Sequence, residues 1–233
     1  MLQAFFLYLK PFSFMEDLEE LIMAALSDSQ ILDLIHDQQL QIEPLIADNV
    51  QPASVDLTLH QTISVLKQER GPIDSKNIKT SNNTLFEELQ IPGEGFVLNP
   101  MSYVVGHSAE LVVLPQSVNG AILNRNSLAQ IGIDVTSSAY INPGFSGRKT
   151  IVIHNFGSRS IILYAGMRIC QLVLFTLGTA SLRSYNDRHQ ESRIIDYARS
   201  CVGSDVLIEG ENHHLDNSLS RILDNMLQKA RQD

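Results

Sequence analysis

The chain has 233 residues, 44% of them hydrophobic, and sets 17 basic against 26 acidic side chains for a formal charge of −9. That length and apolar content support one large core with appendages, and the negative charge argues against broad nucleic-acid binding while leaving room for a small nucleotide held by a few local cations. Cys170 and Cys201 are too few for a disulfide framework and lack metal-site spacing, which points to a reducing, cytoplasmic compartment.

The N-terminal run LQAFFLYL is far shorter than a membrane span and lacks the basic leader of a secretory signal, so residues 1–22 read as an extension and no membrane is expected as a partner. Ser27 then stands where a helix N-cap belongs, with Gln30 at the reciprocal capping-box position and Ile31, Leu34 and Ile35 following on one face. A short amphipathic helix is predicted to start there.

From Gln51 the period changes. VDLTLH, FVLNP, YVVGH, ELVVLP, GAILN, TIVIHN, SIILYA and QLVLFTL are short runs rich in Val, Ile and Leu, parted by Gly, Pro, Asn and Ser. Many short strands of this kind close into a sandwich or barrel, which removes exposed sheet edges. The polar stretch 68–83 reads as a surface loop or long hairpin inserted among them. In the tail, Leu215, Leu219, Ile222, Leu223, Met226 and Ala230 share one side of a helix. That face either packs on its own barrel or makes a protein-partner or trimer contact. His213 and His214 beside Glu211 form no metal-ligand pattern, because adjacent histidines in a polar loop rarely converge on one ion.

The densest chemistry lies between Asn124 and Leu172. A turn carrying an arginine, a hydroxyl and backbone amides makes a compact anion site, since the guanidinium donates in a fixed fork and the amides add direction. Arg125, Ser127 and the amides through Ala129 fit that role; taken alone, an arginine before a serine is equally a surface ion pair. Arg125-Asn126-Ser127-Leu128-Ala129 resembles the phosphate-binding turn of the dCTP deaminase and dUTPase superfamily. Gln51-Pro52-Ala53-Ser54-Val55-Asp56-Leu57 resembles its first motif, in which the aspartate helps order trimer and site. Asn142-Pro143-Gly144-Phe145-Ser146-Gly147 is similar to the Pro-Gly-aromatic turn of the deaminases, and Ile151 to Gly157 to a dUTPase strand. Gly166 to Val173 matches the fourth motif, including Gln171, which in relatives borders the nucleotide.

The resemblance implies a mainly β fold: a distorted β-barrel or jelly-roll-like, dUTPase-type domain over residues 23–183, with short N- and C-terminal helices and a divergent tail from 184 to 233. It also implies a homotrimer acting on dCTP or dUTP, with Mg²⁺ carried by the nucleotide triphosphate and no zinc. The phrase LSDSQILDLIHDQQLQIEPL looks like the opening of a dCTP deaminase, which makes Met23 an expected ancestral start; Met15 is the other candidate.

The catalytic positions that the resemblance implies are changed. The deaminase glutamate that serves as general base and acid aligns with Val152, the catalytic serine with Asn126, and a second arginine with Gln130. The dUTPase aspartate that orients the attacking water aligns with Asn142. Asparagine holds water but does not accept its proton. The closing tail starts in family style at Tyr185-Asn186-Asp187-Arg188 but lacks the Gln-Gly element that follows. A relocated base would be His154, which shares a strand face with Val152, assisted by Asp134; otherwise His154 fills an aromatic position and Asp134 caps a turn. Two expectations follow: a nucleotide-binding or regulatory trimer with impaired or lost catalysis, or an active hydrolase that deaminates dCTP or cleaves dUTP to dUMP with a relocated base.

Overall fold

A computed structural model describes residues 24–68, 71–73 and 85–182. The N-terminal extension 1–22, most of the polar excursion, the tail segment 185–188, Cys201, the histidine pair 213–214 and the residues expected to form a terminal helix lie outside the described residues.

Helix α1 (Asp28–His36) begins at a reciprocal cap: the Gln30 amide donates to Ser27 Oγ at 3.4 Å and the Ser27 amide to Gln30 Oε1 at 3.0 Å. Each bond satisfies a first-turn donor that the helix itself leaves unpaired. Ile31 is fully buried, and Leu34 and Ile35 pack on the core beside it.

The rest is strand. In chain order these are β1 (Gln41–Glu43), β2 (Val50–Gln51), β3 (Ser54–Leu66), β4 (Phe86–Gln90), β5 (Phe96–Leu98), β6 (Ser102–Val113) and β7 (Val118–Asn124). After the single helical turn α2 (Asn126–Ala129) come β8 (Ile133–Asp134), β9 (Tyr140–Ile141), β10 (Ser146–Asn155), β11 (Ile161–Leu163) and β12 (Arg168–Thr176). Every described pairing is antiparallel, and the main path runs β8-β10-β6-β3-β12-β7-β9. Strand β3 turns the corner of the sheet. Its first half pairs with β12 and its second with β6 and β4, so one long strand belongs to both walls of a curled, barrel-like sheet. Leu57, Leu59, Ile122, Ile151, Ile153 and Leu172, all at most 1% exposed, fill the inside.

Two runs that the sequence separates, YVVGH and ELVVLP, form the one strand β6. The polar stretch 68–83 connects paired strands, because Leu66 stands opposite Phe86 across the β3–β4 ladder. Strand β4 itself carries no period-2 signal: FEELQ is exposed or half-buried throughout and is held by the ladder.

Strand β6 carries a buried carboxylate. Glu110 is 1% exposed and accepts from the Thr58 amide at 2.9 Å and the Thr58 hydroxyl at 2.7 Å. The β3–β6 ladder is irregular beyond its Leu59–Ser108 pair, and the carboxylate takes a donor that a regular ladder would have paired. Burial, with the negative charges of Glu110 and Asp56, pushes the Cys170 thiol far above its ordinary range, so it is a packing group and not a nucleophile.

Candidate functional site

The turn after β7 places Arg125 over the start of β3. Arg125 reaches Asp56 Oδ2 at 3.3 Å, and Arg168, at the first position of β12, reaches the same oxygen at 3.5 Å. Asp56 is 2% exposed and its Oδ1 has no hydrogen-bond partner among the described residues. One buried carboxylate thus orders two partly exposed guanidinia, and the cluster keeps a net positive charge toward solvent. Gln171 stands opposite Asp56 and, on its other side, Leu123, and is half-buried. Ser127 is exposed on α2, while the amides of Leu128 and Ala129 both donate to the Arg125 carbonyl at 3.0 Å. Those two amides are occupied within the turn, and the guanidinia and the Ser127 hydroxyl are the side-chain donors around it. Arg168 was not singled out from the sequence, since only the β3–β12 register brings it to Asp56.

Strand β10 alternates cleanly: Ile151 and Ile153 point into the core, while Thr150, Val152 and His154 lie half-buried on the other face. Val152 faces Val105 across the ladder. The His154 ring lies parallel to Phe156 at 5.2 Å and 2°, with Tyr103 at 5.4 Å. Asp134 is opposite His154 by register, but its carboxylate is occupied: Asn124 Nδ2 donates at 2.7 Å, Thr136 Oγ1 at 2.8 Å and the Thr136 amide at 3.2 Å. Its partial burial opposes ionisation, and these bonds, with the neighbouring His154, outweigh it to hold the carboxyl below its ordinary pKa. It ties down the turn into the helical residues Thr136–Ser138.

Asn126 and Gln130 are exposed at the two ends of α2. Asn142 closes the β9–β10 turn by accepting from the Phe145 amide at 3.2 Å, and Gly144 supplies the positive φ of +74°. Val152 lies six residues beyond the start of β10, roughly 20 Å from that turn at the rise of a strand. A single copy of the chain therefore gathers Asp56, Arg125 and Arg168, and keeps Asn142 apart from Val152.

Further along the outer face, His60, His107, Arg148 and Thr150 lie across β3, β6 and β10. Burial pushes the His107 pKa down to about 4, with the positive charges of His60 and Arg148 adding to it. His60 is also lowered, by burial and Arg148, against Glu88. The unfolded chain protonates His107 near its ordinary value of about 6.5, so between that pH and about 4 it binds the proton that the native state refuses, and stability falls as pH drops through the window. His107→Gln is expected to flatten that part of a melting-temperature profile against pH, and parallel profiles for the two proteins would exclude the effect.

The fold and site together define a mainly β protein of the dUTPase and dCTP deaminase type, with an arginine-bearing turn ordered by a buried aspartate. Residues 25–177 match the family described as dCTP deaminase-like, and the chain belongs to that family. The dCTP deaminase, dUMP-forming, of Persephonella marina is 30% identical over 168 residues, covering 72% of this chain and 92% of that protein. The protein of the same name from Coprothermobacter proteolyticus is 37% identical over 150 residues, 63% of this chain and 79% of that one. Among solved structures, the 2′-deoxycytidine 5′-triphosphate deaminase from Agrobacterium tumefaciens superposes with a TM-score of 0.53 at 21% identity, over 66% of this chain and about half (49%) of that chain. That likeness concerns the fold.

Proposed function

We propose that the protein handles pyrimidine deoxynucleoside triphosphates, dCTP or dUTP, as a nucleotide-binding or regulatory homotrimer whose catalysis is impaired or lost. The observation that carries this reading is the outer face of β10. Where the family resemblance calls for a glutamate, an isopropyl group faces a second one, that of Val105. No proton acceptor is formed by that pair. His154 shares the face, but its ring is packed with Phe156 and Tyr103, and no hydrogen bond joins it to Asp134 among the described residues. Loss of a general base slows a reaction by about 10²–10⁴-fold. Binding groups are retained, with Arg125 and Arg168 ordered by Asp56. Mg²⁺ is proposed to enter on the nucleotide's phosphates, as the family resemblance implies.

The second reading, an active hydrolase on dCTP or dUTP, is favoured by the 30% and 37% identity to proteins named dCTP deaminase, dUMP-forming. Calorimetric titration of the full-length protein with dCTP and dUTP in Mg²⁺ separates the two. Saturable heat without turnover supports the binder; continuous heat establishes the enzyme. Arg125→Ala is expected to abolish nucleotide-dependent thermal stabilisation, which for a ligand at 100 times its Kd is worth about 2.7 kcal/mol. An undiminished shift in the variant would remove Arg125 from the site.

A further inference from the structure

The end of α2 and the turn between β10 and β11 enclose a cleft of about 630 Å³ lined by residues 129–132 and 157–161. Its floor is a contact of two glycines. Gly132 has φ +95°, and a Cβ there would stand 2.7 Å from the Gly157 nitrogen. The two segments are joined by the Phe156 amide, which donates to the Gly132 carbonyl at 2.8 Å. Behind them, the fully buried Asn155 donates to the carbonyls of Leu98 at 3.0 Å and Arg159 at 2.9 Å and accepts from the Gly157 amide at 2.9 Å. The backbone that carries Arg159 is thus fixed from beneath by a buried side chain, while its own side chain is exposed.

The lining is chemically one-sided. It holds one guanidinium, the Gln130 amide and the hydroxyls of Ser158 and Ser160, and no acidic group. Arg159 makes no ion pair among the described residues. A cation carried on an anchored backbone, with neutral donors and no competing carboxylate, suits an anion that offers several acceptor oxygens.

We propose that this cleft is a phosphate subsite in which Arg159 is the binding cation and Gln130 and Ser158 are neutral donors. The proposal rests on the nucleotide-handling reading and deepens it: Arg125 stands at the start of α2 and Gln130 at its end, roughly 7 Å apart at the helical rise, a span that the phosphate chain of one triphosphate covers. Arg125 would hold one end of that chain and Gln130 the other, with Arg159 supplying the charge from the cleft lining that it shares with Gln130.

The test uses the full-length protein, Arg159→Ala and Arg159→Lys, titrated calorimetrically with dUTP, dCTP and inorganic tripolyphosphate. The exposed side chain of Arg159 has no described partner to lose, so an unchanged melting temperature is expected for both variants. Arg159→Ala is expected to weaken tripolyphosphate and nucleoside triphosphates alike by roughly tenfold or more, with Arg159→Lys intermediate. Wild-type affinity for all three ligands in Arg159→Ala overturns the subsite and leaves the nucleotide reading standing. Tripolyphosphate binding that depends on Arg159, in a protein that takes neither dCTP nor dUTP, keeps the subsite and overturns the nucleotide reading. No binding of any of the three by the wild-type chain overturns both.

Discussion

Replacing Gly132 with alanine is expected to destabilise the protein by roughly 3 kcal/mol, the sum of a left-handed backbone penalty and a backbone collision. The residue sits at φ +95°, and its added Cβ would meet the Gly157 nitrogen at 2.7 Å and the Gly157 Cα at 2.8 Å. Both obstacles are main-chain atoms that the buried Asn155 holds in place, so no flexible side chain can swing aside. For a chain of this size the midpoint of thermal unfolding should fall by about 6–12 °C. Gly166→Ala separates the two contributions, because Gly166 has φ +76° with nothing within 4 Å of the position of its Cβ; only the backbone cost of about 1–2 kcal/mol should appear. Equal losses in the two variants would show that the Gly132–Gly157 contact is not a tight backbone crossing. The cleft carrying Arg159 depends on that crossing, and Gly132→Ala should weaken tripolyphosphate binding as well.

The second large effect concerns chemistry. The combined variant Val152→Glu, Asn126→Ser and Gln130→Arg is expected to raise deamination of dCTP, measured as ammonia release, by at least about 10²-fold over the parent, the usual contribution of a general base. The fold is expected to accept the change, since Val152 lies on the half-buried outer face of β10 and the core positions are Ile151 and Ile153. Asn126 and Gln130 are both exposed. If the parent already turns over dCTP or dUTP and the variant gains nothing, the active reading prevails. His154→Ala and Asp134→Asn then become the decisive variants, and unchanged rates in both would remove the relocated base. The occupied carboxylate of Asp134, bonded by Asn124 and Thr136, makes a structural effect the expected one for Asp134→Asn.

Much of the architecture was legible because its signals are local. The Ser27–Gln30 cap spans three residues and forms as a reciprocal pair, and the strands from Val55 to Phe175 show as apolar runs between turn residues. Strand β4 did not show, because Phe86 and Leu89 alone give FEELQ no period and pairing with β3 holds it extended. The site divides in the same way. Arg125 and Asp56 were visible as parts of motifs, whereas Arg168 as a second arginine on Asp56 was not, because it depends on a ladder whose register shifts between Arg168 and Cys170. Glu110, in a run that reads as an ordinary apolar strand, gave no hint of its burial against Thr58.

The sequence by itself determined the all-β class, the first helix, the order of the motifs and the identity of the side chains at the altered positions, since each depends on neighbours a few residues away or on composition. Only the tertiary structure decided which of those side chains meet. Contact between residues remote in sequence is set by strand register, bulges and the curl of the sheet, which place Arg125 and Arg168 on one carboxylate oxygen. The same geometry sets Val152 against Val105 and brings the Gly132 and Gly157 backbones together beneath Arg159.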